Sequence, residues 1–194
     1  MAFVLGNTIA QVFIERTRKS PGTVAFRYRS TNDVVAPRGE WRDVTFHTFK
    51  QECEQASLGL KAAGIVKGDH VAILSKTRYE WTLADIAIIG SGSITVPIYP
   101  SSTEAETIHL LQHSEAKAVF VEDESQLMKL IPHLDKLPLL KKIIQFESDR
   151  ANPPSGVTPF FQLLKEGEAE RHHSPNYFEE TLRAVQPADL FTIS

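Results

Sequence analysis

Several groupings in this 194-residue chain carry residue types that do chemistry. His109 and His113 stand at i, i+4, the spacing that points two imidazoles to one side of a helix and so toward a shared metal ion. Leu110, Leu111 and Gln112 between them bring no acid and no third ligand is evident, so surface or partly buried histidines are expected. Glu104, Glu106, Glu122, Asp123 and Glu124 resemble the paired carboxylates of acid–base work, yet they gather at expected helix starts, where the helix dipole stabilises negative charge. Gly90-Ser91-Gly92 comes nearest to a phosphate-cradling loop. It follows a helix and precedes a strand, the reverse of the order a dinucleotide site needs, and reads as a helix terminator that lets the next strand pack close. Cys53 has no imidazole nearer in sequence than His47, and there is no Gly-x-Ser-x-Gly elbow, so a nucleophilic triad lacks support. Lys67-Gly68-Asp69-His70 reads as a turn closed by Asp69, Trp81 as a core or interface aromatic, and His172-His173 as solvated.

The elements that would position these residues follow from hydrophobic pattern and punctuation. Val71–Leu74, Ile94–Ile98, Ala118–Val121 and Lys142–Gln145 are continuous apolar runs, the pattern of strands covered on both faces. Helical intervals join them, opened by Thr77 with Glu80, Thr103 with Glu106 and Asp123 with Gln126, each side-chain oxygen placed to accept a free N–H of the first turn. Three βα units with right-handed crossovers give one sheet. Ahead of them, Phe46, Phe49, Cys53, Ala56, Leu60 and Ala63 draw one apolar stripe down a helix that Gly64 ends as a left-handed cap. Val24–Tyr28 and Trp41–Val44 flank Asn32-Asp33 and Pro37-Arg38-Gly39, a long-looped hairpin. The ten glycines are expected at helix ends and turns.

The fold class expected is therefore α/β: a mainly parallel sheet flanked by helices, with an N-terminal β-hairpin. Its division is 1–44 for the N-terminal segment and hairpin, 45–146 for the βα-repeat core, and 147–194 for a linker, helices and the start of a strand. In the last part, Pro153–Gly156 breaks the pattern, Phe160–Leu164 reads as a helix, Glu166–His173 as a solvated charged stretch and Pro175–Ala184 as another helix.

Composition excludes several classes. A formal charge of −3 with pI near 6.2 leaves no electrostatic footprint for nucleic acid. The single cysteine permits no intrachain disulfide and suits a reducing compartment. The first residues lack the basic start and length of a secretory signal, and Asp85 and Gly90 cut short the most apolar stretch, so no membrane span is expected.

Three segments carry a family resemblance most sharply: Gly64–Leu74; Glu80-Trp81 with Ala84-Asp85 and Ala87; and Gly92 through Pro100, which includes Val96-Pro97-Ile98-Tyr99-Pro100. From Val24 to Ile193 the chain resembles the opening third of long-chain acyl-CoA synthetases, of the adenylate-forming superfamily. Thr77 departs from the Asn that many relatives place there, but either residue caps a helix. The resemblance implies the first of two stacked αβ subdomains of an enzyme that uses ATP, Mg and coenzyme A to convert a long-chain fatty acid to its thioester through an acyl-adenylate. It further implies a cytoplasmic protein, peripheral at the inner membrane face if it meets lipid, and admits a homodimer. By position, Tyr99, Pro100, Ser101 and Ser102 match the segment bordering the pantetheine passage. A turn running into a capped helix is the alternative reading of those four residues. The superfamily's Ser/Thr/Gly phosphate loop follows a strand like Asp189–Ile193. The 194 residues stop before such a loop, so they are expected to be a fragment without activity of its own that binds no cofactor tightly and holds no metal. The alternative is a stand-alone, non-catalytic binding or regulatory module built on a ligase scaffold, and the coding sequence beyond Ser194 separates the two.

Overall fold

The computed structural model describes residues 8–30, 39–148 and 153–193. Helix α1 (Ile9–Lys19) is capped by Thr8 and leads to an antiparallel pair, β1 (Val24–Arg29) and β2 (Trp41–Thr45). This is the expected hairpin. Its tip, including Asn32, Asp33, Pro37 and Arg38, lies outside the described residues. Thr45 then caps α2 (Phe46–Ala62) by accepting the Thr48 N–H at 3.2 Å.

The main sheet contains β3 (His70–Leu74), β4 (Ile94–Ile98), β5 (Ala118–Val121), β6 (Lys142–Gln145) and β7 (Val157–Pro159). All neighbours are parallel, in the order β4-β3-β5-β6-β7. The crossovers are α3 (Tyr79–Gly90), α4 (Glu104–His113) and α5 (Glu124–Leu127) with a 3₁₀ segment over Ile131–Lys136. Helices α6 (Phe160–Arg171) and α7 (Tyr177–Ala184) follow. Alternate strand residues serve two cores: Val71, Ile73, Ala118, Phe120 and Ile144 face α2, α3, α6 and α7, while Ala72, Leu74, Val119, Val121 and Ile143 face Ile108, Leu111, Leu127 and Leu130. Both faces are covered, which is why these strands read as unbroken apolar runs.

Capping bears out two expectations and corrects one. Thr103 and Glu106 form a reciprocal capping box, and Asp123 accepts the Gln126 N–H at 3.0 Å. Thr77 caps nothing: α3 begins at Tyr79, Arg78 is its N-cap residue, and Glu80 instead accepts from Arg78 Nε at 2.6 Å. An ion pair has replaced the hydroxyl cap.

Three further corrections concern helices and one carboxylate. Glu166–His173 keeps Glu168, His172 and His173 exposed, but it is not a separate stretch: α6 runs on through Arg171 and its charges reach α2, Lys61 to Glu170 at 2.5 Å, Gln55 to Glu168 at 3.0 Å and Arg171 to Glu54 at 3.6 Å. Two glycines, Gly59 and Gly167, sit inside helices rather than at their ends, where α2 and α6 cross. Glu122 lies at the end of β5, buried, and not at a helix start. Helix α1 and strand β7 go beyond the expected elements; α1 buries Ala10, Phe13 and Ile14, with Phe13 edge-on to Phe49 at 5.6 Å.

Helix α3 also carries a carboxylate, Asp85, that no cation among the described residues pairs with. Asp85 reaches β4, where its Oδ1 accepts from Thr95 Oγ1 at 2.7 Å, and burial raises its pKa against the smaller lowering effect of that hydrogen bond. Thr95 is also where the chain's last described residues join the sheet, through Thr95 N–H to Phe191 O at 2.8 Å and Ile193 N–H to Thr95 O at 3.0 Å. A carboxyl whose folded pKa is raised stabilises the fold fully only below its unfolded pKa, and this contribution is lost as pH climbs through the folded pKa. Asp85→Asn keeps the acceptor and removes the charge. It should melt higher than the parent at neutral pH, by roughly 2–4 °C for each kcal/mol of penalty removed, with the difference vanishing in acid. Paired thermal melts at neutral pH and in acid check this, and equal melting temperatures at neutral pH would refute it.

Candidate functional site

In a parallel sheet wound in two directions, ligands gather beyond the carboxyl ends of the strands where the winding reverses. Here that reversal falls between β3 and β5, since β3 leads outward to β4 and β5 leads the other way to β6. The protein fills this crevice itself. The Glu122 side chain is 4% exposed; one oxygen accepts the Lys76 N–H at 3.0 Å and the Ser75 hydroxyl at 3.5 Å. Its other oxygen stands 2.6 Å from Lys76 Nζ and 3.8 Å from Arg78 Nη1. Arg78 also holds Glu80 and, through Nη1, Glu147 beyond β6. An acceptor-only carboxylate at the switch point offers nothing to a phosphate.

Open space lies one strand over. A cleft of about 510 Å³ sits beyond the ends of β3 and β4, lined by Ser75, Lys76, Thr77, Trp81, Pro97, Ile98, Tyr99, Pro100 and Ser101. Tyr99, Pro100, Ser101 and Ser102 form a turn closed by the Ser102 N–H on Tyr99 O at 3.0 Å, with proline at the second position that such turns favour. Tyr99, Pro100 and Ser101 thus share one wall. Ser102 faces a neighbouring recess with Glu106, His109 and Leu110 instead. Tyr99 is 80% exposed, held out by its backbone rather than by packing. Trp81 packs partly on the core and partly lines the cleft. Ser75, Lys76, Thr77 and Ile98 were missed as lining residues, although their place at two adjacent strand ends was a usable signal.

The remaining candidates lie apart from the cleft. Among the described residues, no group of three His, Cys, Asp or Glu side chains is placed to hold a metal, and His109 and His113 stack on each other at 5.8 Å on an exposed face. Cys53 is fully buried, and burial pushes its thiol well up, so it is a core atom and not a nucleophile. Asp69 accepts the Val66 N–H at 3.0 Å and closes its turn. Gly92, at φ +77°, supplies the left-handed step after α3. A second, smaller recess of about 70 Å³ borders Tyr28, Arg42, Glu52 and Tyr79, but those polar groups satisfy one another, Tyr79 Oη donating to Glu52 at 2.7 Å and Arg42 to Glu52 at 2.8 Å. What the cleft offers is an exposed aromatic ring, hydroxyls, an ammonium and apolar walls. Those are groups that bind; they do not make a nucleophile–base pair.

The family description "AMP-binding enzyme" matches residues 13–193. The chain belongs to that family. It is 36% identical over 97% of its length to long-chain-fatty-acid–CoA ligase FadD15 of Mycobacterium bovis, and 29% identical over 82% to long-chain-fatty-acid–CoA ligase ACSBG2 of Xenopus laevis. It spans only 29% and 21% of those proteins. Among solved structures, the anthranilate CoA ligase AuaEII in complex with anthranoyl-AMP superposes with a TM-score of 0.68 at 22% identity, over 80% of this chain and 27% of that one. A putative long-chain-fatty-acid CoA ligase of Rhodopseudomonas palustris gives 0.65 at 22% identity, over 80% and 36%. At such identities the structures establish the shared fold: the parallel sheet flanked by helices is that of the adenylate-forming ligases. No helix among the described residues is long and apolar enough to cross a membrane.

Proposed function

We propose that these residues are the first αβ subdomain of an ATP-dependent long-chain fatty acid–CoA ligase, and that by themselves they catalyse nothing. The whole ligase makes acyl-CoA, AMP and pyrophosphate from fatty acid, ATP and coenzyme A. A carboxylate oxygen leaves poorly, whereas AMP leaves well, so the carboxylate is first joined to AMP and the thiol then displaces it. The observation that carries this reading is the 36% identity, along 97% of the chain, to a long-chain ligase more than three times as long.

The residues present fit one partner and not the other. The triphosphate finds no home here: Glu122 occupies the switch point, and the sequence contains no Ser/Thr/Gly loop ending in lysine. The cleft beside Tyr99 suits the neutral, flexible pantetheine arm, with Ser101 and Tyr99 hydroxyls for its amides and Trp81 and Ile98 for its methylenes. The 194-residue chain given oleate, ATP, Mg and coenzyme A should show neither pyrophosphate exchange nor acyl-CoA; turnover would end the scaffold reading. In the complete ligase, Tyr99→Ala should raise the KM for coenzyme A about three- to tenfold, the worth of one aromatic contact, with kcat kept. An unaltered KM would remove Tyr99 from the passage.

A further inference from the structure

Lys129 lies in the turn that ends α5, its N–H donating to Gln126 O at 3.2 Å. Its ammonium reaches back to the Tyr99 turn and donates to Pro100 O at 2.7 Å and to Ser102 O at 2.7 Å, residues 29 and 27 positions away. Among the described residues no carboxylate pairs with it. A lysine committed to two main-chain carbonyls gives up its rotamer freedom and much of its hydration to fix a backbone, since neutral carbonyls do not neutralise its charge.

The support behind it is firm. Leu127 and Leu130, on either side, are both fully buried in the core that also holds Val119 and Val121. Asp123 caps the start of α5. The path runs from core leucines through Lys129 to the two carbonyls that flank Ser101, and so to Tyr99, whose exposed ring has no packing of its own to fix it.

We infer that Lys129 is the positioning residue of the cleft: from the crossover between β5 and β6 it holds the Tyr99–Ser102 turn in place as one wall. Its consequence for thiol delivery rests on the pantetheine reading above, but the positioning itself does not. Hydrogen exchange on the 194-residue chain tests the positioning. In Lys129→Met, exchange of the Ser102, Thr103 and Thr107 amides should quicken about tenfold or more, the loss of a charge-assisted hydrogen bond, while β3 and β5 keep their protection. Lys129→Arg should restore most of the protection. Unchanged exchange in Lys129→Met would overturn the inference, and so would a rise spread evenly over the whole sheet, which would mean that Lys129 only stabilises the fold. In the complete ligase the same variant should raise the KM for coenzyme A more than it lowers kcat. A loosened turn with an unchanged KM would uphold the positioning and defeat the pantetheine reading, so the two fail separately.

Discussion

Arg78→Met is expected to cost about 3–5 kcal/mol of stability, the loss seen when one partner of a buried charge group is removed. Arg78 is 10% exposed and is the cation that three carboxylates share: Glu80 at 2.6 Å, Glu147 through Nη1, and Glu122 at 3.8 Å. Those acids come from α3, from the end of β6 and from the end of β5, so one side chain ties together the carboxyl ends of the sheet. Its guanidinium also lies 5.9 Å from the centroid of the Phe146 ring. Methionine fills most of the volume and leaves Glu122, 4% exposed, with the exposed Lys76 as its only counter-charge among the described residues.

Lysine at position 78 keeps the charge but lacks the fork that serves Glu80 and Glu147 at once, so Arg78→Lys should fall between the parent and Arg78→Met. Urea unfolding of the three proteins checks the order. Glu147→Gln added to Arg78→Met should recover part of the loss, because it removes one of the stranded charges, and a double-mutant cycle measures that coupling. If Arg78→Met unfolds at the urea midpoint of the parent, the cluster is ornamental. A loosened cluster would also unblock the switch point that Glu122 fills.

Local features of this fold were legible in the sequence, and distant ones were not. Four of the five parallel strands announce themselves because burial on both faces leaves no polar residue to interrupt runs such as Val71–Leu74 or Ala118–Val121. The Thr103–Glu106 box is a contact across three residues and could be read directly. Thr77 with Glu80 has the same spacing and misled, because Glu80's better partner is a guanidinium whose other acids are up to 69 residues distant. The cleft was half visible: Tyr99, Pro100 and Ser101 follow a recognisable strand, whereas Lys129 carries no local mark of its carbonyl partners. Helix α6 was cut short for a related reason. Its partly exposed charges pair with α2 across long sequence separations, 109 residues for Lys61 and Glu170, which no local pattern marks.

That helix pair yields the second large effect, in which intrinsic propensity and packing point in opposite directions. Gly167 lies mid-helix in α6, where alanine is favoured by about 1 kcal/mol on propensity alone. A Cβ built there, however, would stand 1.7 Å from the Gln55 carbonyl oxygen and 2.9 Å from Gly59 N, both main-chain atoms of α2. Gly59 mirrors it, its Cβ falling 2.5 Å from Leu163 O. Backbone cannot swing aside as a side chain can, so the helices must separate. Separation would loosen the Lys61–Glu170 and Gln55–Glu168 contacts and draw the fully buried Leu163 out of the core. Gly167→Ala should therefore destabilise by about 3 kcal/mol net, at the upper end of overpacking costs, and lower the melting temperature by on the order of 10 °C. Gly22→Ala, whose Cβ meets nothing within 4 Å, serves as the control and should leave the melt nearly unchanged. If Gly167→Ala instead gained stability, propensity would have won, and the close crossing of α2 and α6 would not be what anchors the helical layer to the sheet.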